Sequence, residues 1–173
     1  MNIKNHISFH IGSDDKFPLE HRFFNLIAFY GGIICILGTG VNLLIDSKVF
    51  VIIATALALL VCWGAFYLSR FRNSFMLGKT IMTVFLAFLL GYIFFVNNGS
   101  RGPLLYLYMV YYLLLLIVWT GRSRNVLIAL FTFNILIFLI VELKFPQSTQ
   151  PYIDEQTRLL DVYLSYMMYV LIL

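Results

Sequence analysis

The side chains in this sequence that could bind or sense something are polar groups set in or beside long apolar stretches. We group them as the outer cluster: Asn42, Tyr92, Asn97, Asn98, Arg101, Tyr108, Tyr112, Glu142 and Asp161. Polar groups at membrane depth are costly, so they usually face protein or a water-filled cavity. Such a set could line a cup that binds a small ligand or responds to a membrane stimulus.

A plainer interpretation of the same residues stays open. Tyrosines collect in belts at membrane interfaces, and Asn98-Gly99 is a common turn sequence. Arg158 and Asp161 are spaced to form an i,i+3 pair at the start of a helix. In this interpretation the polar residues mark an interface and a loop, and they bind no ligand.

The residue types that carry metal or catalytic chemistry are sparse. His6 and His10 would share a helix face, but two histidines without a third ligand do not make a metal site. The third histidine, His21, also lies near the start of the chain, so no pair of apolar segments offers histidines to a haem. No HExxH, phosphate-binding glycine loop or GxSxG motif occurs. We therefore expect no metal, no cofactor and no catalytic residue, which leaves an intramembrane enzyme without support.

The composition places this chain in a lipid environment. It is 61% hydrophobic and 12% charged, with a mean hydropathy of +0.90, whereas an ordinary soluble domain is about 25% charged. The prediction is an all-α integral membrane protein with membrane lipid as a partner. The net charge of +4 then reflects membrane topology, and no nucleic-acid partner is expected.

Six apolar segments follow a polar N-terminal arm over residues 1–18. They lie at about 23–45, 49–69, 75–96, 103–120, 125–143 and from about 158. Short links force consecutive helices to run antiparallel, so residues 19–173 are expected to form one six-helix transmembrane bundle. Twelve residues follow Asp161, whereas a crossing needs about 20. We expect the sixth helix to be truncated and to continue in a longer protein.

The basic residues predict the orientation. Eight Lys and Arg residues fall on one side of the predicted bundle and four on the other: Lys4, Lys16, Arg22, Arg70, Arg72, Lys79, Arg122 and Arg124 against Lys48, Arg101, Lys144 and Arg158. The side richer in Lys and Arg is usually cytoplasmic. Both termini are therefore predicted to be cytoplasmic.

Three segments carry stripes of small or polar residues at helical spacing: Gly31, Cys35, Gly38 and Asn42; Ala54, Ala58, Cys62 and Ala65; and Thr80, Thr83, Ala87 and Gly91. Small residues let helices approach closely in lipid, so these stripes predict packing seams. The last segment carries larger residues at spacings of 4, 3, 4 and 3: Leu159, Tyr163, Tyr166, Val170 and Leu173. This alternation is typical of a coiled-coil seam, which contacts either a second copy or the chain's own bundle.

Three stretches resemble the N-terminal membrane region of bacterial two-component sensor histidine kinases. They are LEHRFFNL at 19–26, VNNGSRGP at 96–103 and TRLLDVYLSYMMYVLIL at 157–173. The resemblance implies a sensor in the bacterial inner membrane whose last helix transmits a signal to a cytoplasmic kinase. In that family the phosphorylated histidine and the ATP-binding domain follow the last span, so no catalytic residue is assigned here. The alternative is a small channel or transporter, or a subunit of one.

Overall fold

The computed structural model describes residue 12 and residues 16–44, 49–152 and 154–172; the side chains of residues 44, 105 and 168–172 are not described. His6, His10 and Leu173 therefore lie outside the described part. Six α-helices occur there, with short 3-10 turns at Gly99–Arg101 and Pro146–Ser148. The helices are α1 (Leu19–Leu44), α2 (Val49–Arg70), α3 (Phe75–Val96), α4 (Leu104–Val118), α5 (Gly121–Lys144) and α6 (Glu155–Ile172). No strand occurs among these residues, which confirms the all-α class.

Four helices, α1, α2, α3 and α5, are long and apolar enough to cross a membrane. Helix α4 is apolar but has 15 residues, which at about 1.5 Å per residue reach roughly 22 Å. A typical hydrocarbon core is about 30 Å thick. The structure thus describes an all-helical chain in which four helices are long and apolar enough to span a membrane. The six-span bundle and the cytoplasmic termini stay predictions.

Helix α5 begins earlier than its apolar pattern indicates. The sequence predicts a link over residues 121–124, but the helix starts at Gly121, whose φ is +59°. Glycine adopts this left-handed conformation without the steric cost that a Cβ brings. Arg122 and Arg124 then occupy the first helical turns, where arginine is a good helix former.

The contacts divide the chain into two compact units. The first unit comprises Met1–Phe85 and Leu116–Thr120, and the second comprises Leu86–Leu115 and Gly121–Leu173. Helices α3 and α4 therefore each contribute to both units. The single bundle expected over residues 19–173 stays a prediction.

In the first unit, small residues mediate the helix contacts as the sequence predicts. The α2 stripe Ala54, Ala58, Cys62 and Ala65 is buried, and the position of a Cβ on Gly31 lies 3.6 Å from the Cys62 sulfur. The Thr39 hydroxyl of α1 also donates to that of Thr55 on α2 at 3.0 Å. On α3 the predicted stripe is wrong at Thr80, which is exposed. Gly78 makes the close approach instead, because a Cβ there would lie 2.8 Å from the Ala65 carbonyl oxygen.

In the second unit, aromatic rings fill the core. Phe131 of α5 lies against Tyr108, Tyr111 and Tyr112 of α4, with ring centroids 4.2 to 5.5 Å apart. Farther along α5, Phe138 packs against Gly91, Phe94 and Phe95 of α3. This packing positions the end of α5 beside the end of α3, where the polar residues of the second unit gather.

Candidate functional site

The turn after α3 is a left-handed pair followed by a short 3-10 turn. Asn98 and Gly99 both have positive φ, 63° and 57°. Asparagine and glycine tolerate this region best, because other residues meet steric clashes there. The Arg101 amide then donates to the Asn98 carbonyl at 3.2 Å. The turn that the Asn-Gly pair predicts is therefore confirmed.

The carboxylate of Glu142, near the end of α5, closes this turn. Both of its oxygens accept from the Ser100 amide at 3.2 Å. The approach requires glycine at position 99, since a Cβ there would lie 2.8 Å from both the Glu142 carboxyl carbon and the Thr149 methyl group. The negative carboxylate thus satisfies an exposed backbone donor, a kind of hydrogen bond that is stronger than a neutral one.

The loop after α5 is held to the same turn by its backbone. The Gln150 amide donates to the Phe95 carbonyl at 2.9 Å, and the Gln150 carbonyl accepts from the Asn98 amide at 3.1 Å. These paired bonds satisfy main-chain groups that the end of α3 would otherwise leave open. They also bring Tyr152, two residues farther on, towards α6.

Asp161 of α6 receives two side-chain donors. The Asn97 amide donates to its Oδ2 at 2.9 Å, and the Tyr152 hydroxyl donates to the same oxygen. Burial and the neighbouring Asp161 carboxylate raise the pKa of the Tyr152 phenol above its ordinary value. Tyr152 therefore remains a proton donor to this carboxylate across the physiological pH range.

The start of α6 has its own capping contacts. Asp154 accepts from the Thr157 amide at 2.7 Å and from the Thr157 hydroxyl at 3.0 Å, and these bonds lower the pKa of Asp154. Arg158 pairs with Glu155 and donates to the Arg101 carbonyl at 3.3 Å. The i,i+3 partner of Arg158 is thus Glu155, and the Arg158–Asp161 pair considered from the sequence is not formed.

These residues make up what we name the polar cap: Asn97, Asn98, Ser100, Arg101, Glu142, Gln150, Tyr152, Arg158 and Asp161. It includes five members of the predicted outer cluster, namely Asn97, Asn98, Arg101, Glu142 and Asp161. Tyr152 was missed, because a lone tyrosine in a proline-containing loop gives no periodic signal. Its position directly after Pro151 was the one available indication of an ordered loop.

The remaining members of the outer cluster lie elsewhere. Tyr108 is 4% exposed, and its hydroxyl has no hydrogen-bond partner among the described residues. The Tyr112 hydroxyl shares a hydrogen bond with that of Thr132 at 2.8 Å. Tyr92 is exposed, and Asn42 belongs to the first unit. A single cup formed by the whole outer cluster stays a prediction.

The predicted stripe on α6 is described only in part. Leu159, Tyr163 and Tyr166 are exposed, and the Tyr166 ring lies 5.5 Å from that of Tyr106. Only the backbone of Val170 is described. The exposed positions leave this face of α6 available to lipid or to another chain.

Metal-binding groups are not brought together in the described part of the chain. It holds no group of three or more His, Cys, Asp or Glu side chains that could bind a metal ion. Cys35 and Cys62 are free thiols. The polar cap can therefore orient two carboxylates and exchange hydrogen bonds, which is suited to binding or switching.

Comparisons with known proteins add no assignment. No family model matches the chain, and neither curated proteins nor solved structures match it. The resemblance to sensor kinase membrane regions therefore stays an expectation from the sequence.

Proposed function

We propose that this chain is a membrane-embedded signal-input module, in which the polar cap receives the stimulus and α6 carries it to a cytoplasmic output domain. The output domain would be a histidine kinase and the membrane a bacterial inner membrane, with both chain ends cytoplasmic. The observation that carries the proposal is the pair of hydrogen bonds on Asp161. They join the last helix to the turn after α3 and to the loop after α5.

Three features favour Asp161 as the link. It lies on α6, so a change in its contacts acts directly on that helix. Its described partners, Asn97 and Tyr152, belong to a helix end and a loop, and loops carry binding residues more often than helix interiors. A second bond between Arg158 and the Arg101 carbonyl joins the same two regions.

The energies are large enough for a switch. A hydrogen bond to a charged group contributes about 1.5–3 kcal/mol, so the two bonds on Asp161 amount to roughly 3–6 kcal/mol. Moving a two-state equilibrium from 1:99 to 99:1 takes about 5.5 kcal/mol. A ligand or a membrane property that favours one arrangement of these bonds can therefore shift the position of α6.

A chimera tests the proposal. The chain would be fused after Leu173, in helical register, to the dimerisation helix and kinase core of a sensor kinase that lacks its own input region. We expect Asp161→Asn and Tyr152→Phe to change autophosphorylation in membranes by roughly threefold or more, because the first removes the charge that strengthens both bonds and the second removes one of the two bonds. Tyr67→Phe is the matched control, since Tyr67 is half exposed and lies on α2.

Two outcomes would count against the proposal. Equal autophosphorylation in Asp161→Asn, Tyr152→Phe and Tyr67→Phe would show that the Asp161 contacts do not reach the output. Ion or solute flux through the purified chain in liposomes, reduced by the same substitutions, would favour the channel or transporter alternative.

The proposed module acts as a homodimer, since kinase output requires two copies. The exposed positions Leu159, Tyr163 and Tyr166 on α6 support a contact between copies. Single cysteines at positions 163 and 166, in a background without Cys35 and Cys62, should crosslink on oxidation in membranes. A cysteine at position 164 is the control. Equal crosslinking at positions 163, 164 and 166, or none at any of them, would contradict the seam.

A further inference from the structure

The cysteines of α1 and α2 meet across the helix interface of the first unit. Cys35 and Cys62 share a hydrogen bond between their thiols, and both thiols are free. A second contact locates the same sulfur, because a Cβ on Gly31 would lie 3.6 Å from the sulfur of Cys62. Gly31 and Cys35 are one helical turn apart on the same face of α1. We name Cys35 and Cys62 the thiol pair.

Hydrogen bonds on both sides of the thiol pair fix the register of the two helices. On one side the Thr39 hydroxyl donates to that of Thr55 at 3.0 Å. On the other side the Ser69 hydroxyl donates to the Asn25 side-chain oxygen at 2.6 Å. Contacts that move back along α1 thus move forward along α2, as in antiparallel helices. The backbone of both helices therefore holds the two sulfurs at the same level.

Helix packing accounts for one thiol at this interface but not for a pair. The remaining members of the α2 stripe, Ala54, Ala58 and Ala65, are buried, and small size is what a close helix contact needs. A single cysteine among them would serve as a small apolar residue. The chain has two cysteines, and they contact each other from separate helices. Such a pair can form a covalent bond, which alanines cannot.

The contact between the thiols is compatible with a disulfide. A disulfide has an S–S length of about 2.0 Å and places the two Cβ atoms about 3.5–4.5 Å apart. Two sulfurs that already share a hydrogen bond reach this geometry by side-chain rotation and a small shift of the helices. The glycine at position 31 also keeps α1 clear of the Cys62 sulfur.

The exposure of the two cysteines indicates which one meets an oxidant. Cys35 is half-buried, whereas Cys62 is 3% exposed. Cysteine oxidation starts at an accessible sulfur and leads to a disulfide when a second thiol lies beside it. Both cysteines lie in the interior of helices that are long and apolar enough to cross a membrane. The oxidant must therefore be small and uncharged, as hydrogen peroxide is.

We propose that the thiol pair is a redox-sensitive lock, in which hydrogen peroxide converts the two thiols to a disulfide that joins α1 to α2. The Cys35 sulfur attacks one peroxide oxygen, the O–O bond breaks, and the products are a sulfenic acid on Cys35 and one water. The Cys62 sulfur then attacks the Cys35 sulfur, and the sulfenic hydroxyl leaves with the Cys62 proton as a second water. The thiols lose two electrons and two protons in total, and one peroxide becomes two waters. The lock does not depend on the proposed signalling function, since neither cysteine belongs to the polar cap.

Counting thiols tests the lock. The whole chain in nanodiscs would be treated with hydrogen peroxide, then with catalase, and denatured in N-ethylmaleimide. Because the chain has two cysteines, the intact mass should show two maleimide groups before oxidation and none afterwards, with both restored by dithiothreitol. The oxidised chain should migrate as a monomer on a non-reducing gel. Two maleimide groups after peroxide, a disulfide-linked dimer, or a loss that dithiothreitol does not reverse would each overturn the proposal.

A matched variant moves one thiol away from the interface. Cys62→Ser combined with Gly64→Cys keeps Cys35 and the number of thiols, but a Cβ at position 64 has nothing within 4 Å. We expect this variant to form the internal disulfide roughly tenfold more slowly than the wild type, because its thiols are not held together. Equal rates in the two proteins would show that the helix interface does not direct the bond, and would overturn the lock.

Thermal unfolding tests whether the disulfide restrains the helices. The oxidised wild type should unfold at a higher temperature than the reduced wild type, because the bond restricts the unfolded chain. Cys62→Ser cannot form the bond and should unfold at the same temperature with and without peroxide treatment. An equal unfolding temperature for the oxidised and reduced wild type would overturn the lock.

Discussion

The two units hold charge in opposite ways. In the first unit a cation, Lys79, is held between aromatic faces, whereas in the second unit the carboxylates of Glu142 and Asp161 accept hydrogen bonds from neutral donors. Aromatic faces attract cations weakly and with little directional demand. Hydrogen bonds to a carboxylate are directional and strong. The second unit is therefore the better suited to a discrete switch.

The close contacts of the two units differ as well. Gly78 meets a main-chain oxygen, that of Ala65, whereas Gly91 meets the end of the Phe138 ring, each at 2.8 Å from the position of a Cβ. A side chain can change its rotamer, but a helix backbone cannot move without its neighbours. The helix contact of the first unit is thus expected to be the less tolerant of added volume.

The largest predicted effect is that of Gly78→Ala. The added methyl group must push α3 from α2, and we expect a loss of roughly 1–3 kcal/mol in the free energy of unfolding. Gly91→Ala should cost less, because the Phe138 ring can turn. Gly64→Ala has nothing within 4 Å and should be neutral or slightly stabilising. Thermal unfolding in detergent measures all three, and equal losses for Gly78→Ala and Gly64→Ala would contradict the packing.

The next prediction compares two buried hydroxyls. The Ser69 hydroxyl donates to the Asn25 side-chain oxygen at 2.6 Å, and both residues are 0% exposed. Ser69→Ala should lower the free energy of unfolding by about 1 kcal/mol, since it removes a buried hydrogen bond. The Ser148 hydroxyl in the second unit is buried without a partner among the described residues. Ser148→Ala should therefore be neutral or stabilising, and an equal loss in both variants would contradict the assigned bond.

A smaller effect on the stability of the folded protein is expected at alkaline pH. The pKa of Tyr152 is raised above its ordinary value of 10.0, so the folded protein keeps a proton that the unfolded chain releases above that pH. This contribution to stability is complete below pH 10.0 and is lost as the pH rises towards the folded pKa. The unfolding temperature should fall more steeply above about pH 10 in the wild type than in Tyr152→Phe. Tyr67→Phe should keep the wild-type slope, and identical slopes in all three proteins would contradict the raised pKa.

Much of this structure is predictable from residue patterns. The α2 stripe and the Asn-Gly turn follow from spacing and from local backbone preference, which are properties of neighbouring residues. The tertiary surroundings of Lys79 are not predictable in this way. From the sequence it is one of several basic residues that orient the chain, because nothing in its local pattern shows that Trp119, forty residues later, covers its ammonium.

The polar cap in the second unit shows the same limit of prediction from the sequence. Asn97, Glu142 and Asp161 are visible as costly residues near helix ends, and their polarity alone places them in the outer cluster. Their partners depend on the tertiary path of the loop after α5, which pairs its backbone with the end of α3 at Gln150. That path brings Tyr152 to Asp161. The sequence spacing favoured Arg158 as the partner of Asp161 instead.

The link between α6 and the turn after α3 is tested most directly by hydrogen exchange. Amides of residues 158–163 would be followed in the whole chain in nanodiscs, for the wild type, for Asn97→Ala and for Asn134→Ala. Asn134 is an exposed asparagine on α5 and serves as the matched control. Loss of the Asn97–Asp161 bond should speed exchange in these amides by roughly tenfold, while Asn134→Ala leaves it unchanged. The same exchange rates in Asn97→Ala and the wild type would contradict the link that the proposed signalling requires.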